Sequence, residues 1–146
     1  MLNKYLKTSP SRSVLLIRLI TGVVFLSEGI QKFLFVESLG TGRFMKIGMP
    51  FPGFLSPLVG SLEIICGLLV LAGLMTRLAS IPLLLIISVA ILTTKIPILI
   101  HQGLWPVLHE SRTDWSMLMG NLYLIINGGG RWSLDFKMTS QSGNGT

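Results

Sequence analysis

The sequence predicts an all-α fold: a transmembrane four-helix bundle with both termini on the cytoplasmic side. Three observations carry the prediction. Half of the 146 residues are hydrophobic and 12% are charged, with mean hydropathy +0.70, whereas soluble domains carry about 25% charge. Four apolar segments approach the length of about 20 residues that a helix needs to cross a bilayer. Each of the four also carries a small or polar stripe at heptad spacing, the pattern of helices packed against one another within lipid.

The length allows one domain. It divides into a cytoplasmic N-terminal segment 1–12, a transmembrane domain 13–135 and a flexible cytoplasmic tail 136–146. The first span, 13–35, follows Lys4, Lys7 and Arg12. It is too long for the apolar core of a signal peptide and has no small-residue cleavage site, so it is read as retained. The second span is about 54–75. The third is about 78–96, extendable to 100, with Pro82 tolerated in its first turn. The fourth, about 114–128, is the weakest, being short and carrying Asn121 and Asn127. Without it the C-terminus would lie outside.

Lys and Arg near the span ends set the orientation. Lys4, Lys7, Arg12, Arg77, Arg131 and Lys137 fall on one side, against Arg43, Lys46, Lys95 and Arg112 on the other. The richer side is read as cytoplasmic. Spans two and three then form a tight hairpin through 75–77. The loops 36–53 and 97–113 lie outside, and their prolines and aromatics (Phe44, Phe51, Trp105) suit an interfacial cap.

Several function classes drop out. The net charge of +6 comes from basic residues dispersed between apolar runs, which reads as topology and not as a nucleic-acid surface. The one cysteine, Cys66, cannot form an internal disulfide or a CxxC pair; it lies off the polar stripe and reads as packing. With His101 and His109 it makes too small a ligand set for a metal site, and the two histidines read as interfacial loop residues. No catalytic constellation is present.

Charges inside a span need a reason, because each costs about 2.5–3.5 kcal/mol at the bilayer centre on insertion scales. In the first span Arg18, Gly22, Phe25, Glu28, Gly29 and Lys32 share an arc of roughly 120°, and Glu28 and Lys32 are spaced to pair along the helix. The second span places Ser56, Gly60, Glu63 and Gly67 on one face. The third offers Ser88 and Lys95, the fourth Asp114, Asn121 and Gly128. Glu63 falls near the midplane. Glu28, Lys32, Lys95 and Asp114 fall in the outer half, and Arg18 in the inner half, where it can snorkel or pair with Asp135. Glu63, Glu28, Lys32, Lys95, Asp114 and Asn121 are therefore the candidate ligand or proton pocket. The competing reading is structural, with Glu28–Lys32 and Glu63–Lys95 as buried pairs that fix register.

These residues resemble the DoxX family of small four-helix membrane proteins over most of the chain. Arg18, Phe25, Gly29 and Lys32 follow the family's first-helix pattern. Phe44, Gly48, Pro50 and Pro52 follow its F-x-x-x-G-x-P-x-P loop. The stretch from Glu63 through Gly67 and Gly73 to Thr76 and Arg77 resembles its second-helix motif, on the helix that also holds Gly60. Residues 128–135, with Arg131, Ser133, Leu134 and Asp135, are similar to its G-P-G-R-x-S-L-D ending, Gly129 standing where the proline is usual. The resemblance implies a multi-pass protein of a bacterial or archaeal cytoplasmic membrane. Some relatives are subunits of quinol-oxidase or thiosulfate:quinone oxidoreductase complexes, so it also implies a quinone- or redox-associated membrane subunit. Such a subunit would have no intrinsic cofactor, a bound quinone, a redox partner subunit and a homo-oligomer as an option. Glu63 or Glu28 would then exchange protons. Two other readings stay open: a module that binds or transports a small anion through Lys32 and Lys95, and a scaffold that recruits a soluble oxidoreductase through Arg77 and the 131–137 segment.

Overall fold

A computed structural model of the chain describes residues 10–142. The basic residues Lys4 and Lys7 and the last four positions of the tail lie outside the described residues. Among those described, all regular structure is helical: α1 Val14–Leu34, α2 Thr41–Lys46, α3 Pro52–Ala72, α4 Thr76–Gln102, α5 Leu104–Glu110, α6 Arg112–Asn127 and α7 Leu134–Ser142.

Three of these helices, α1, α3 and α4, are long and apolar enough to cross a membrane. The fourth predicted span corresponds to α6, which has 16 residues and so rises about 24 Å, short of the roughly 30 Å hydrocarbon core. The third span is longer than the sequence suggests. α4 runs for 27 residues with Pro82 and Pro97 inside it, so Pro82 sits in the second turn and not the first. The two long connections are not open loops, since each holds a short helix, α2 or α5. α7 extends through the start of the stretch read as a tail. Its first turn is capped by Ser133, whose Oγ accepts the Phe136 N–H at 3.1 Å.

The helices pack as two close pairs. α1 lies along α3 in the most extensive contact of the fold, and α4 lies along α6; α3–α4 and α1–α6 contacts are sparser. The α1–α3 pair is a glycine seam. A Cβ added to Gly29 would stand 2.7 Å from the Gly60 carbonyl oxygen and 2.8 Å from Ile64, and one added to Gly67 would stand 3.1 Å from the Gly22 oxygen. In lipid there is no hydrophobic force between helices, so such close van der Waals contact is what holds a pair together. The small-residue stripes of α1 and α3 are thus consumed within the fold.

The packed interior includes Val14, Val70, Ala79, Leu83 and Leu124, all fully or almost fully buried. The outward faces are Leu, Ile and Val, and Ile20, Leu85 and Ile126 are each at least 60% exposed. Exposed Trp105 and Trp115 flank one end and Trp132 the other, the distribution expected of interfacial anchors. The start of α1, the α3–α4 turn and the segment after α6 meet at one end. There the Arg131 N–H donates to the Ser11 carbonyl and the Asp135 N–H to that of Gly73. We call this the termini end and the opposite one the far end.

The seam gives a direct test. Gly29→Ala is expected to lower stability in detergent by about 1–3 kcal/mol, whereas Gly53→Ala, where nothing lies within 4 Å of an added Cβ, leaves it unchanged. Equilibrium unfolding in SDS–detergent mixtures reads the difference.

Candidate functional site

The polar residues divide into two groups at opposite ends. At the termini end, Arg18 on α1 is 2% exposed and every hydrogen bond its side chain donates goes to a backbone carbonyl. Nε donates to Val70 O at 2.9 Å, Nη2 to Leu71 O at 2.6 Å, and Nη1 to Gly129 O at 3.0 Å and Trp132 O at 2.8 Å. Val70 and Leu71 lie in the last turn of α3, whose carbonyls have no partner within the helix. Arg18 therefore caps α3 and complements its dipole.

Asp135 does the converse job for α4. Its two carboxylate oxygens accept the N–H groups of Met75 at 2.6 Å and Thr76 at 3.0 Å. A carboxylate at a helix N-terminus is favourable both as a cap and against the dipole. It also over-determines Met75, held at φ 48° in the left-handed region that non-glycine residues avoid. Gly73 makes the turn between the two caps at φ 69°, and a Cβ there would meet the Arg18 guanidinium at 2.6 Å. Arg18 and Asp135 thus do not pair as the sequence suggested. Each finds a helix end of opposite partial charge nearer than the other.

At the far end a cavity of about 510 Å³ lies between the two helix pairs. Its walls are mostly apolar, with Val24, Leu55, Val59, Leu85, Ile86 and Val89 among them, and α2 contributes Arg43 and Phe44. Four of the six predicted pocket residues line it: Glu28, Lys32, Glu63 and Asp114. Lys95 is not on the wall but holds Asp114 through Nζ–Oδ2 at 3.1 Å and donates to the Glu110 carbonyl at 2.9 Å. Asn121 is also off the wall. It is fully buried, donates to Met117 O at 3.0 Å, and leaves its Oδ1 without a partner.

Of the two pairs the sequence allowed, Glu28–Lys32 forms, as the longer of two contacts that Lys32 makes, and Glu63–Lys95 does not. Lys32 Nζ reaches across to Glu63 Oε2 at 2.7 Å, while its helical neighbour Glu28 stands at 3.9 Å and is half exposed. The glycine seam explains this. Where α1 and α3 approach at Gly29 and Gly60, a lysine one turn on faces the next acid of the other helix. Lys95 belongs to α4, whose more extensive contact is with α6, and it meets Asp114 there and not Glu63.

Glu63 is 3% exposed and only its Oε2 is hydrogen-bonded. Its second oxygen is left as an acceptor at the cavity wall. The hydroxyls of Thr93 and Thr94 donate to carbonyls of their own helix. Sequence reasoning missed Arg43, which it counted only as a topology charge. Arg43 lines the cavity, and its guanidinium makes no ion pair or hydrogen bond among the described residues. The available signal was its place directly before the Phe44–Pro52 loop motif. His101 and His109 lie away from the cavity, His109 against Arg112. Cys66 is buried in the helix packing.

The chain matches the sequence profile of the DoxX family over residues 13–96. It is 48% identical over 136 residues to an uncharacterised membrane protein of Mycobacterium tuberculosis, an alignment covering 89% of this chain and 83% of that protein. It is 32% identical over 122 residues to a Bacillus subtilis protein named putative oxidoreductase CatD, covering 83% of each. No solved structure matches it significantly.

A double-mutant cycle tests the buried pair. Lys32→Met alone is expected to cost about 3–5 kcal/mol, because it strands a buried carboxylate, and adding Glu63→Gln is expected to recover most of that loss. Unfolding free energies of the unmodified protein, Lys32→Met, Glu63→Gln and the double variant measure it.

Proposed function

The chain belongs to the DoxX family of membrane proteins, and we propose that it is a redox-associated membrane subunit whose far-end cavity binds a quinone-like ligand within a transmembrane four-helix bundle. Several observations support the bundle. α6 closes the packing between α4 and α1, and the two described chain ends meet at one end of the molecule, as an even number of crossings requires. Arg12, Arg77, Arg131 and Lys137 gather at that end, which favours the cytoplasmic side for it. The cavity then opens in the outer half of a cytoplasmic membrane.

The observation that carries the ligand reading is Glu63. A carboxylate oxygen without a hydrogen bond, on a residue 3% exposed, at the wall of an apolar cavity of about 510 Å³, fits small-molecule sites, which are mostly apolar with a few convergent polar groups. The polar set suits a ring bearing oxygens: Glu63 at the buried end to accept from a ring hydroxyl, Arg43 nearer the far end to donate to a ring oxygen, Glu28 beside it, and apolar side chains between. A bound quinone supplies the two-electron, two-proton chemistry that these side chains lack. The protein's part is to position the ring and move protons. Lys32 fixes Glu63 through Oε2, which leaves the other oxygen to accept a proton from a ring hydroxyl or return one. Glu28, half exposed and next to the same lysine, gives that proton a route to the outer water. Electrons then enter or leave through a partner subunit. The name of the Bacillus relative, an oxidoreductase, agrees with this assignment.

The anion-transport reading draws less support, because both lysines on which it rests are held by carboxylates. The scaffold reading draws on exposed Arg131 and Lys137, which leave a basic surface at the termini end.

Titration of the purified protein with a water-soluble benzoquinone, followed by quenching of its tryptophan fluorescence, is expected to saturate. When the titration is repeated with the ring held in its reduced quinol form, whose hydroxyl can donate to the carboxylate, Glu63→Gln is expected to weaken binding about tenfold, the equivalent of one charge-assisted hydrogen bond. Absence of any saturable quenching in the unmodified protein would remove the proposal.

A further inference from the structure

We infer that the ligand enters this cavity sideways from the bilayer, through the cleft between α3 and α4 beneath α2, and is therefore a lipid-dissolved molecule with an oxygen-bearing head and a long apolar tail. The inference rests on the binding proposal above and adds the route and the ligand class.

Three observations lead to it. First, the two helices are tied at the termini end by a three-residue turn capped from both sides, but touch less than either close pair does; the α1–α6 side, where contact is sparser still, brings the charged Glu28 and Asp114 to the cavity and so offers no apolar edge. The cavity residues they contribute, Leu55, Val59 and Glu63 from α3 and 85–94 from α4, all lie away from that turn. The pair therefore opens toward the far end, and the cavity fills the opening.

Second, the α4 edge of the cavity is also outer surface. Leu85 and Val89 line the cavity yet are 62% and 43% exposed. Leu92, about one turn beyond Val89 and off the cavity, is 58% exposed on the same stripe, so this face of α4 fronts acyl chains and the cavity shares a wall with lipid. The levels agree as well. Leu85 stands nine residues along α4 from the turn, and Glu63 nine residues along α3 from the same turn, so both lie about 14 Å up. A head group passing between the helices beside Leu85 arrives at the depth of Glu63.

Third, the opposite approach is covered. α2 packs on α3 with Phe44 buried, and Ile47 and Met49 just after it line the cavity. A molecule arriving from water would have to displace this roof, whereas one arriving from lipid meets only side chains as apolar as its own tail. The tail would remain in the cleft, where the outward faces of α3 and α4 continue as membrane surface.

The test uses the full chain in liposomes and two probes: a benzoquinone with a ten-carbon tail ending in a photoreactive diazirine, and the same ring without a tail. After illumination, peptide mapping is expected to find the label on α3 and α4 facing lipid, around Val59 and Val89. Val89→Trp, a change at a lipid-exposed position, is expected to slow association of the tailed probe about tenfold, while Leu92→Trp, on the same helix but off the cavity, leaves it unchanged. Label concentrated on α2, or equal rates in all three proteins, would overturn lateral entry while leaving binding intact. Saturable binding of neither probe would overturn the binding proposal itself.

Discussion

Arg18 is a permanent cation enclosed among apolar helices, and such a group is tolerated only when its donors are fully used. Here they are used on carbonyls of three separate stretches: the end of α3, the Gly129 turn and Trp132. The guanidinium cannot be satisfied unless those stretches converge. Their convergence brings Asp135 to the start of α4, where it supplies the complementary cap. The two charges make their hydrogen bonds to backbone groups and not to each other. One residue fixes the ends of α1, α3, α4 and α6 at a single point, and the arrangement of everything above it follows.

From that anchored end the helices are free to diverge, and the glycines decide how. α1 and α3 carry small residues along facing stripes and stay in contact; α4 and α6 stay together as well. Between the pairs contact is sparser, with one close approach where Gly120 of α6 meets Thr21 of α1. The result is a packed termini end and a cavity at the far end. The same seam selects the ion pair at the cavity wall, since close approach at Gly29 and Gly60 delivers Lys32 to Glu63 and relegates the sequence neighbour Glu28 to the half-exposed rim. Stability and site geometry therefore share one cause.

The polar residues of this chain do two kinds of work, sorted by depth. At the termini end Arg18 and Asp135 are engaged by backbone groups, although Thr76 Oγ1 and Arg77 Nε there have no hydrogen-bond partner. At the far end one oxygen of Glu63 and the Arg43 guanidinium have no partner among the described residues beside an apolar volume, and Glu28 is held only at 3.9 Å by Lys32.

Much of this was legible in the sequence. Apolar runs of spanning length predicted three of the long helices, and heptad-spaced polar stripes tied the short α6 to them. The same stripes picked out Glu28, Lys32, Glu63 and Asp114, all of which come together on the cavity wall, because a charge inside a span is conspicuous whatever its partner. Asn121 was selected by the same stripe but sits off the cavity, since heptad spacing gives a face and not a depth. Local spacing identified partners only in part. It offered Glu28 for Lys32, a pair that forms at 3.9 Å but is secondary to Glu63 at 2.7 Å, and Glu63 for Lys95, which instead took Asp114. Periodicity within one helix determines which side chains face inward. Which of them meet is decided by the distance between helices, set by glycine contacts and by an arginine that three distant segments must share, and that distance exists only once the chain has folded.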